Sequence, residues 1–254
     1  MPFATAGRPA PGHPGHHEAQ HRMALLPEYY AWTLRRLAAW LGPRVLDVGS
    51  GIGLAAACLP AWTRLVLVDV DPAQVAGSRA RLAGTPGVEV VQADVLDPAI
   101  VDLGAGAFDS VLCLDVLEHL DDDTCAVRHL AALLAPGGHL LLKVPAHRWL
   151  HGTMDAASGH VRRYRRDDVR RLAAEAGLAV AMLGRMNVSG VLPWWVKGRV
   201  LRRPINFSRT FSPDALARLN RLVPILEQLD RLVPVPVGLS LVAALRRPRH
   251  ERAP

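Results

Sequence analysis

Short apolar segments alternate along the chain with segments in which apolar residues recur every three or four positions. Each apolar segment is about as long as a strand, and most are apolar throughout. The seven predicted strands are Arg44–Val48, Leu65–Asp69, Val88–Gln92, Ser110–Leu114, His139–Val144, Leu178–Leu183 and Leu239–Ala244. Strands of this kind lie in parallel sheets that helices cover on both faces. The pattern therefore predicts an α/β fold with a doubly wound, mostly parallel seven-stranded sheet.

Helical periodicity fills the gaps between these strands. An amphipathic helix is expected from Met23 to Gly42-Pro43, and a later one from Asp168 to Ala176 with Asp167 as its N-cap. Four shorter helical segments separate the first five strands, namely Leu54–Leu59, Pro72–Ala83, Ile100–Asp102 and Asp122–Leu134.

The regular alternation stops after the sixth strand. Residues 184–238 separate the sixth strand from the seventh and are too many for a simple loop. A helix is expected to open at Ser212-Pro213 with one apolar stripe. The members of this stripe are Leu216, Leu219, Leu222, Leu226, Leu229 and Val233. We therefore expect one domain over residues 23–245 that carries 184–238 as a helical cap.

The two ends of the chain differ in composition from this domain. Residues 1–22 are rich in Pro, Gly and His without periodicity, which predicts a disordered arm, and residues 246–254 form a basic tail. The start lacks the pattern of a secretory signal, and the longest apolar stretch, Leu232–Leu245, is too short to span a bilayer. We expect a cytoplasmic protein without a transmembrane helix.

Charge and cysteine content narrow the function only slightly. The formal net charge is +7, but only Lys143 and Lys197 among the 30 basic residues are lysine, which favours GC-rich coding over selection for an anionic partner. The three cysteines have neither an even count nor metal-ligand spacing. Neither a disulfide nor a metal site is expected.

A glycine turn follows the first predicted strand, in the segment from Val45 to Gly53. Glycines there allow a sharp turn and a close approach of the backbone to a ligand. Asp47 stands two residues before the first glycine, where a carboxylate suits a cationic ligand better than a pyrophosphate. Because Leu54 occupies the sixth position, the turn departs from the dinucleotide fingerprint, and a nicotinamide oxidoreductase is kept only as an alternative.

The segment Asp47-Val48-Gly49-Ser50-Gly51-Ile52-Gly53 resembles motif I of class I S-adenosylmethionine (AdoMet)-dependent methyltransferases. The similarity extends from about Tyr29 to Leu245. Four later segments resemble the following motifs of that family in order, namely Val68-Asp69-Val70-Asp71-Pro72, Ala93-Asp94-Val95, Phe108–Leu120 and Leu134–Leu140. The resemblance implies a Rossmann-like methyltransferase fold, AdoMet as cofactor and methyl transfer as the reaction.

The resemblance also implies which residues hold AdoMet. Gly49 and Gly51 are expected to line its methionine and ribose portion, Asp69 to bind the ribose hydroxyls, and Asp94 with the Val95 amide to reach the adenine. The predicted cofactor-binding set is Asp47, Gly49, Gly51, Gly53, Asp69, Val70, Asp94, Val95 and Asp115.

The segment after the fifth strand resembles a bacterial methyltransferase subgroup with a V-P-A…D…G-H-x-R-R-Y pattern followed by N-G…W-W. The matching residues here are Val144-Pro145-Ala146, Asp155, Gly159–Tyr164, and Asn187…Gly190…Trp194-Trp195. The acceptors of that subgroup are largely unassigned. The resemblance therefore implies the type of reaction and leaves the acceptor open.

Methyl transfer needs a base only when the acceptor begins protonated. His160 is predicted to be the general base or to position the acceptor, and His119 after the fourth strand is the second candidate. Asp155, which shares a loop with His160, completes the predicted catalytic set. Three residues are predicted to bind the acceptor, although Tyr30 could instead pack in the core, Tyr164 could brace a loop and Arg163 could belong to a solvated basic face.

Basic residues accumulate between Arg162 and Arg203, where ten arginines and Lys197 surround Trp194-Trp195. This composition predicts a patch that touches anionic lipid headgroups or a groove for an amphipathic acceptor. The oligomeric state is left open.

The sequence is thus interpreted as an AdoMet-dependent methyltransferase that acts on an oxygen or nitrogen of a small or lipid-like acceptor. A nucleic-acid methyltransferase is one alternative, but the chain lacks the [DNS]-P-P-[FYW] and Pro-Cys signatures of enzymes that methylate bases. A non-catalytic AdoMet-binding subunit is another, since these motifs indicate binding rather than chemistry.

Overall fold

The structure of the protein is a computed structural model that describes residues 21–202, 211–233 and 235–249. Of the predicted arm over residues 1–22, only the last two residues are described. Arg203 and the last five residues of the predicted basic tail also lie outside the described residues.

Seven strands form one sheet. They are β1 Arg44–Val48, β2 Arg64–Asp69, β3 Val88–Gln92, β4 Phe108–Leu114, β5 Leu134–Pro145, β6 Ala179–Met186 and β7 Ser240–Arg246. Their order across the sheet is β3-β2-β1-β4-β5-β7-β6. β1 pairs in parallel with β2 and β4, whereas β7 is antiparallel to both β5 and β6. The predicted α/β fold with a mostly parallel seven-stranded sheet is confirmed.

The described helices are α1 Pro27–Leu37, α2 Pro72–Arg81, α3 Asp123–Leu133, α4 Thr153–Ala157, α5 Arg166–Glu175, α6 Val191–Trp195 and α7 Pro213–Leu232. α2 and α3 begin after aspartate N-caps, because Asp71 accepts a hydrogen bond from Ala73 N and Asp122 accepts one from Cys125 N. Such caps satisfy amide groups that the first turn of a helix leaves without partners.

Each face of the sheet carries an apolar core. On one face Leu130 of α3 and Leu172 of α5 belong to a buried cluster with the strand residue Phe108. On the other face Trp32 of α1 and Val223 of α7 pack with inward residues of the strands. Since both faces are buried, polar chemistry is confined to the ends of the strands.

The insertion between β6 and β7 contacts the rest of the domain at two places. α7 packs on α1, where Arg35 Nη2 lies 2.6 Å from Glu227 Oε2. The turn after α6 lies close to the segment that follows β5, since a Cβ atom added at Gly152 would sit 2.7 Å from Gly198 O. The insertion is therefore packed against the domain through α7 and through the turn after α6.

Two local predictions about helices are wrong. The segment Leu54–Leu59 contains a 3₁₀ turn over Ala56–Cys58 rather than an α-helix. Gly53 has φ +75 and Pro60 follows, so the segment is too short for a run of α-helical hydrogen bonds. α5 begins at Arg166 rather than Asp168, and Asp167 is not its N-cap.

The predicted apolar stripe of α7 is also partly wrong. Its buried residues are Leu216, Val223, Glu227 and Asp230. Leu222 and Leu229 are 50% and 47% exposed. The two acidic residues turn inward because Glu227 pairs with Arg35 and Asp230 pairs with Arg185. A prediction that uses only the leucine positions therefore assigns exposed residues of α7 to the core.

Leu216 and Leu222 provide a direct test of how α7 is rotated. Leu216 is fully buried, so Leu216→Ala should lower the free energy of unfolding by roughly 2–5 kcal/mol. Leu222→Ala should change it by less than about 0.5 kcal/mol, because half of that side chain is exposed. Urea unfolding of the two variants measures both values. Equal losses would show that the predicted stripe, and not the described packing, is correct.

Candidate active site

Polar side chains collect at one edge of the sheet. Asp47, Asp69 and Asp115 lie at or just after the carboxyl ends of β1, β2 and β4, and Lys143 lies near the carboxyl end of β5. These strands are parallel and adjacent, so their carboxyl ends meet. The strand order reverses between β1 and β4, which is where open α/β sheets bind ligands.

The glycine turn after β1 requires glycine for two reasons. Gly49, Gly51 and Gly53 have φ values of +67, +55 and +75, a region that other residues rarely adopt. A Cβ atom added at Gly49 would also lie 2.4 Å from Val116 Cγ2. The turn therefore packs directly against the segment that follows β4.

Asp47 carries a buried carboxyl group, and one of its oxygens has no hydrogen-bond partner among the described residues. It is 2% exposed, and its Oδ2 atom accepts no hydrogen bond from the described residues, which is also true of Ser50 Oγ. Burial, and then the charge of Asp69, raise the pKa of Asp47 to about 7. A buried carboxyl group is costly unless a donor or cation joins it. The position is thus suited to a positively charged ligand group.

Asp69 at the end of β2 helps to shape the same turn. Its Oδ2 accepts a hydrogen bond from Gly51 N (2.8 Å), and its Oδ1 accepts one from Asp71 N (3.0 Å). Burial nonetheless raises the pKa of Asp69 above its usual value. Val70, the next residue, is 38% exposed.

The residues after β3 form a short hydrogen-bonded turn. Asp94 Oδ1 accepts a hydrogen bond from Leu96 N (2.9 Å). Val95 is buried, and its carbonyl accepts a hydrogen bond from His129 Nδ1 (2.8 Å). α3 thereby fixes the position of this turn.

Asp115 and Lys143 form an ion pair at the centre of the site. Lys143 Nζ lies 2.5 Å from Asp115 Oδ2 and 4.5 Å from the centre of the Tyr29 ring. Asp115 has φ +56, an uncommon value for this residue type that often marks functional sites. Burial lowers the pKa of Lys143, but the charge and hydrogen bond of Asp115 together with the neighbouring Tyr29 and Tyr30 raise it overall. Burial raises the pKa of the neighbouring Tyr30 hydroxyl.

Asp155 joins the loop after β5 to the insertion. Its Oδ1 accepts hydrogen bonds from His160 Nδ1 (3.0 Å) and Arg163 Nε (2.7 Å). Its Oδ2 accepts hydrogen bonds from Gly152 N (3.0 Å) and Trp194 Nε1 (3.2 Å). Burial raises its pKa, but the His160 hydrogen bond and the Arg163 charge together bring it down to about 2. The carboxylate is therefore charged and held by four donors.

This network sets the hydrogen-bonding state of His160. With Nδ1 donating to Asp155, a neutral His160 ring presents Nε2 as an acceptor. That Nε2 atom lies 4.0 Å from Glu118 Oε1, and the rings of His119 and His160 are 4.9 Å apart. His119 Nδ1 is 3.1 Å from Gly159 O. Both predicted catalytic histidines therefore lie together, at the junction of two loops.

Glu118 faces this pair of histidines from a fully buried position. Neither carboxyl oxygen has a hydrogen-bond partner in the described part of the chain. Burial, and then the charge of Asp115, raise the pKa of Glu118 well above its usual value. Glu118, His119 and His160 bring possible ligand atoms within 4.8 Å of one another, a grouping that could hold a cation although no metal spacing was expected.

Arg163 and Tyr164, which were predicted to bind the methyl acceptor, form hydrogen bonds with groups of the protein itself. Arg163 is 3% exposed, donates to Ala146 O (2.9 Å) and stacks 5.0 Å from the centre of the Trp194 ring. The Tyr164 hydroxyl donates to Asp123 Oδ2 (2.9 Å). Burial raises the pKa of Tyr164. Contact of these two side chains with an acceptor stays a prediction.

Three residues of the site were not assigned to it from the sequence, namely Glu118, Lys143 and Trp194. Lys143 did carry a signal, because it is a single charge inside an apolar strand and one of only two lysines in the chain. Glu118 lay within a recognised motif. Trp194 carried no signal for its contact with Asp155, because 39 positions separate the two residues.

Comparison of the sequence with known protein families and curated proteins finds methyltransferases. Residues 16–183 match a family model described as a methyltransferase domain. A ubiquinone biosynthesis O-methyltransferase of Xanthomonas oryzae pv. oryzae (strain PXO99A) is 40% identical over 105 residues, which cover 40% of this chain and 42% of that protein. The chain thus matches less than half the length of that relative. The enzyme of the same name from Xanthomonas campestris pv. campestris (strain B100) is 30% identical over 180 residues, covering 64% of this chain and 72% of that protein.

A solved structure shows the same fold. The N-methyltransferase NodS from Bradyrhizobium japonicum WM9, in complex with S-adenosyl-L-homocysteine, aligns with a TM-score of 0.53 at 18% identity, over 96% of this chain and 94% of that chain. A likeness at this identity supports the fold alone. The family match, however, spans more than half of the sequence. The chain therefore belongs to the methyltransferase domain family, and its cofactor is S-adenosylmethionine.

Proposed function

We propose that this protein transfers a methyl group from AdoMet to a hydroxyl oxygen of a small, amphipathic acceptor. The observation that carries the proposal is the buried Asp47 carboxyl group, which has an unpartnered oxygen beside the glycine turn. A positively charged methyl donor supplies the partner that this oxygen lacks. A dinucleotide pyrophosphate would instead be repelled there.

The residues present fit AdoMet. When bound, it supplies a methyl group on a positively charged sulfur, which an attacking oxygen can displace. Asp47 would hold its cationic amino acid end, Asp69 would accept hydrogen bonds from ribose hydroxyls, and the Asp94–Val95 turn would meet the base. The glycine turn would leave room for the methionine and ribose, and Asp115 would close the site next to the methyl group.

His160 is the proposed general base. Its Nε2 atom would take the proton of the acceptor hydroxyl as the oxygen forms its bond to the methyl carbon and the carbon–sulfur bond breaks. Asp155, 3.0 Å from His160 Nδ1, would hold the ring in the required tautomer and stabilise the charge that it gains. His119 is the second candidate, because its ring lies beside that of His160.

The residues around Asp115 support one class of acceptor. Tyr30 and Lys143 place an aromatic ring and a cation beside the site, which suits a ring-bearing acceptor with a polar substituent. The names of the two relatives support oxygen rather than nitrogen as the methylated atom. Arg163 and Tyr164 would support acceptor binding by holding the loop, since their polar groups already bond to protein.

Binding of the cofactor can be tested at Gly49. Gly49→Ala should weaken the affinity for S-adenosylhomocysteine by at least about tenfold, because the added methyl group would meet Val116 Cγ2 and displace the turn. Gly84→Ala is the matched control, since Gly84 has φ +76 and nothing lies within 4 Å of its added Cβ. Titration calorimetry measures both affinities. If the two variants bind equally well, the turn does not hold the cofactor.

Catalysis can be tested at His160. His160→Gln should lower kcat by about 100-fold to 10,000-fold without changing the affinity for S-adenosylhomocysteine, because the base is lost and the cofactor site is not. His139→Gln is the control, because His139 lies within β5, before the carboxyl end of the strand where the site is. The assay follows transfer of a labelled methyl group from AdoMet to a small-molecule extract of bacterial cells. Full activity of His160→Gln would exclude this base, and binding without any transfer would favour the non-catalytic subunit.

A further inference from the structure

The insertion carries most of the exposed large apolar side chains of the described residues. Of fourteen such side chains, nine lie between Leu192 and Val235. They are Leu192, Trp195, Val200, Leu201, Leu222, Ile225, Leu229, Leu232 and Val235. Single exposed apolar residues are common on proteins, but a concentration in one segment indicates an interaction surface.

α7 presents part of this set on one face. Ile225, Leu229 and Leu232 are 54%, 47% and 77% exposed, and their spacing of four and then three residues places them on one side of the helix. Leu222 borders the same side. The opposite side packs on α1 through Val223, and Leu216 on that side is fully buried. The helix therefore has a second apolar face, directed away from the domain.

Basic residues continue this outer face toward the start of α7. Arg218 and Arg221 lie one to two turns before Ile225 on the same side and are exposed. The acidic residues Glu227 and Asp230 point inward, where they pair with Arg35 and Arg185. Apart from Asp214 in the first turn, the acidic groups of α7 are thus withdrawn from the surface, which leaves it positively charged.

The segment between β6 and α7 also carries exposed apolar and basic residues. Val188 N donates to Asp230 Oδ1 (2.7 Å), and Lys197 Nζ lies 4.1 Å from the centre of the Phe211 ring. These contacts join the segment to the last turns of α7 and to a residue just before the helix. Leu192, Val200 and Leu201 are 66%, 55% and 53% exposed there. Arg199 and Arg202 are exposed beside them.

We propose that this surface, formed by the outer face of α7 and the exposed residues of 192–202, docks the protein on an anionic lipid membrane. A few exposed apolar side chains can insert into the headgroup region of a membrane, while neighbouring arginines bind the lipid phosphates. No helix of the described residues is long and apolar enough to cross a bilayer, so the contact lies at the surface of the membrane. The proposal corrects the sequence expectation in one respect. Trp194 is not part of the surface, because it bonds to Asp155.

Vesicle co-sedimentation of the full chain tests the proposal. The protein should bind vesicles of equal parts phosphatidylcholine and phosphatidylglycerol, bind pure phosphatidylcholine vesicles far less, and dissociate as salt is raised. The double variant Leu229→Ser/Leu232→Ser should lose binding by about tenfold or more. Arg218→Gln/Arg221→Gln should lose mainly the part that depends on anionic lipid.

Val180→Ser is the matched control, since Val180 is 40% exposed but lies on the edge strand β6. It should bind vesicles like the unchanged protein, and all variants should keep their affinity for S-adenosylhomocysteine, which shows that they are folded. No binding by the unchanged protein, or equal binding by the Leu229→Ser/Leu232→Ser variant, would overturn the proposal. So would a concentration-dependent dimer in sedimentation that this variant abolishes without any vesicle binding, since the face would then join two copies of the chain.

Discussion

The structure depends on a carboxyl group buried where the sheet ends. Asp47 extends from β1 between β2 and β4, and the described protein provides no hydrogen-bond donor for its Oδ2 atom. Such a group costs free energy in the empty protein and is stabilised when a cation binds. The family match identifies the cofactor. In the proposed function, the unpartnered carboxyl group of Asp47 is the partner for its positive charge.

A second constraint lies on the acceptor side. Asp155 receives donors from the loop after β5 and from α6, so one carboxylate connects the insertion to the proposed base His160. The close approach of Gly152 to Gly198 supports the same connection through the backbone. Residues of the insertion can therefore affect the orientation of His160 without touching the acceptor. The insertion thus has two separate surfaces. The inner surface faces this hydrogen-bond network, and the outer surface is the one proposed to bind a membrane.

Much of the fold was predictable because the sheet is buried on both faces. Seven apolar segments separated by helical periodicity leave few other arrangements, and all seven strands were placed. The rotation of α7 was not predictable from its leucines, because partners distant in sequence draw Glu227 and Asp230 inward. The prediction of a helix after the glycine turn was wrong for a local reason, because only six residues separate Gly53 from Pro60. Within the site, the position before the glycine turn indicated Asp47, and the family resemblance implied Asp69. The contact between Trp194 and Asp155 depends instead on how two distant loops pack.

The measurement that tests the central claim most directly is the number of protons released when AdoMet binds. Burial and Asp69 hold the pKa of Asp47 at about 7 in the empty protein, and a cation should lower it, so binding near about pH 6 should release close to one proton. Near about pH 9 the carboxyl group is already ionised, and the release should vanish. Calorimetry in buffers of different ionisation enthalpy measures this number, and Asp47→Asn should abolish it. Proton release that is independent of pH, or unchanged in Asp47→Asn, would contradict the account.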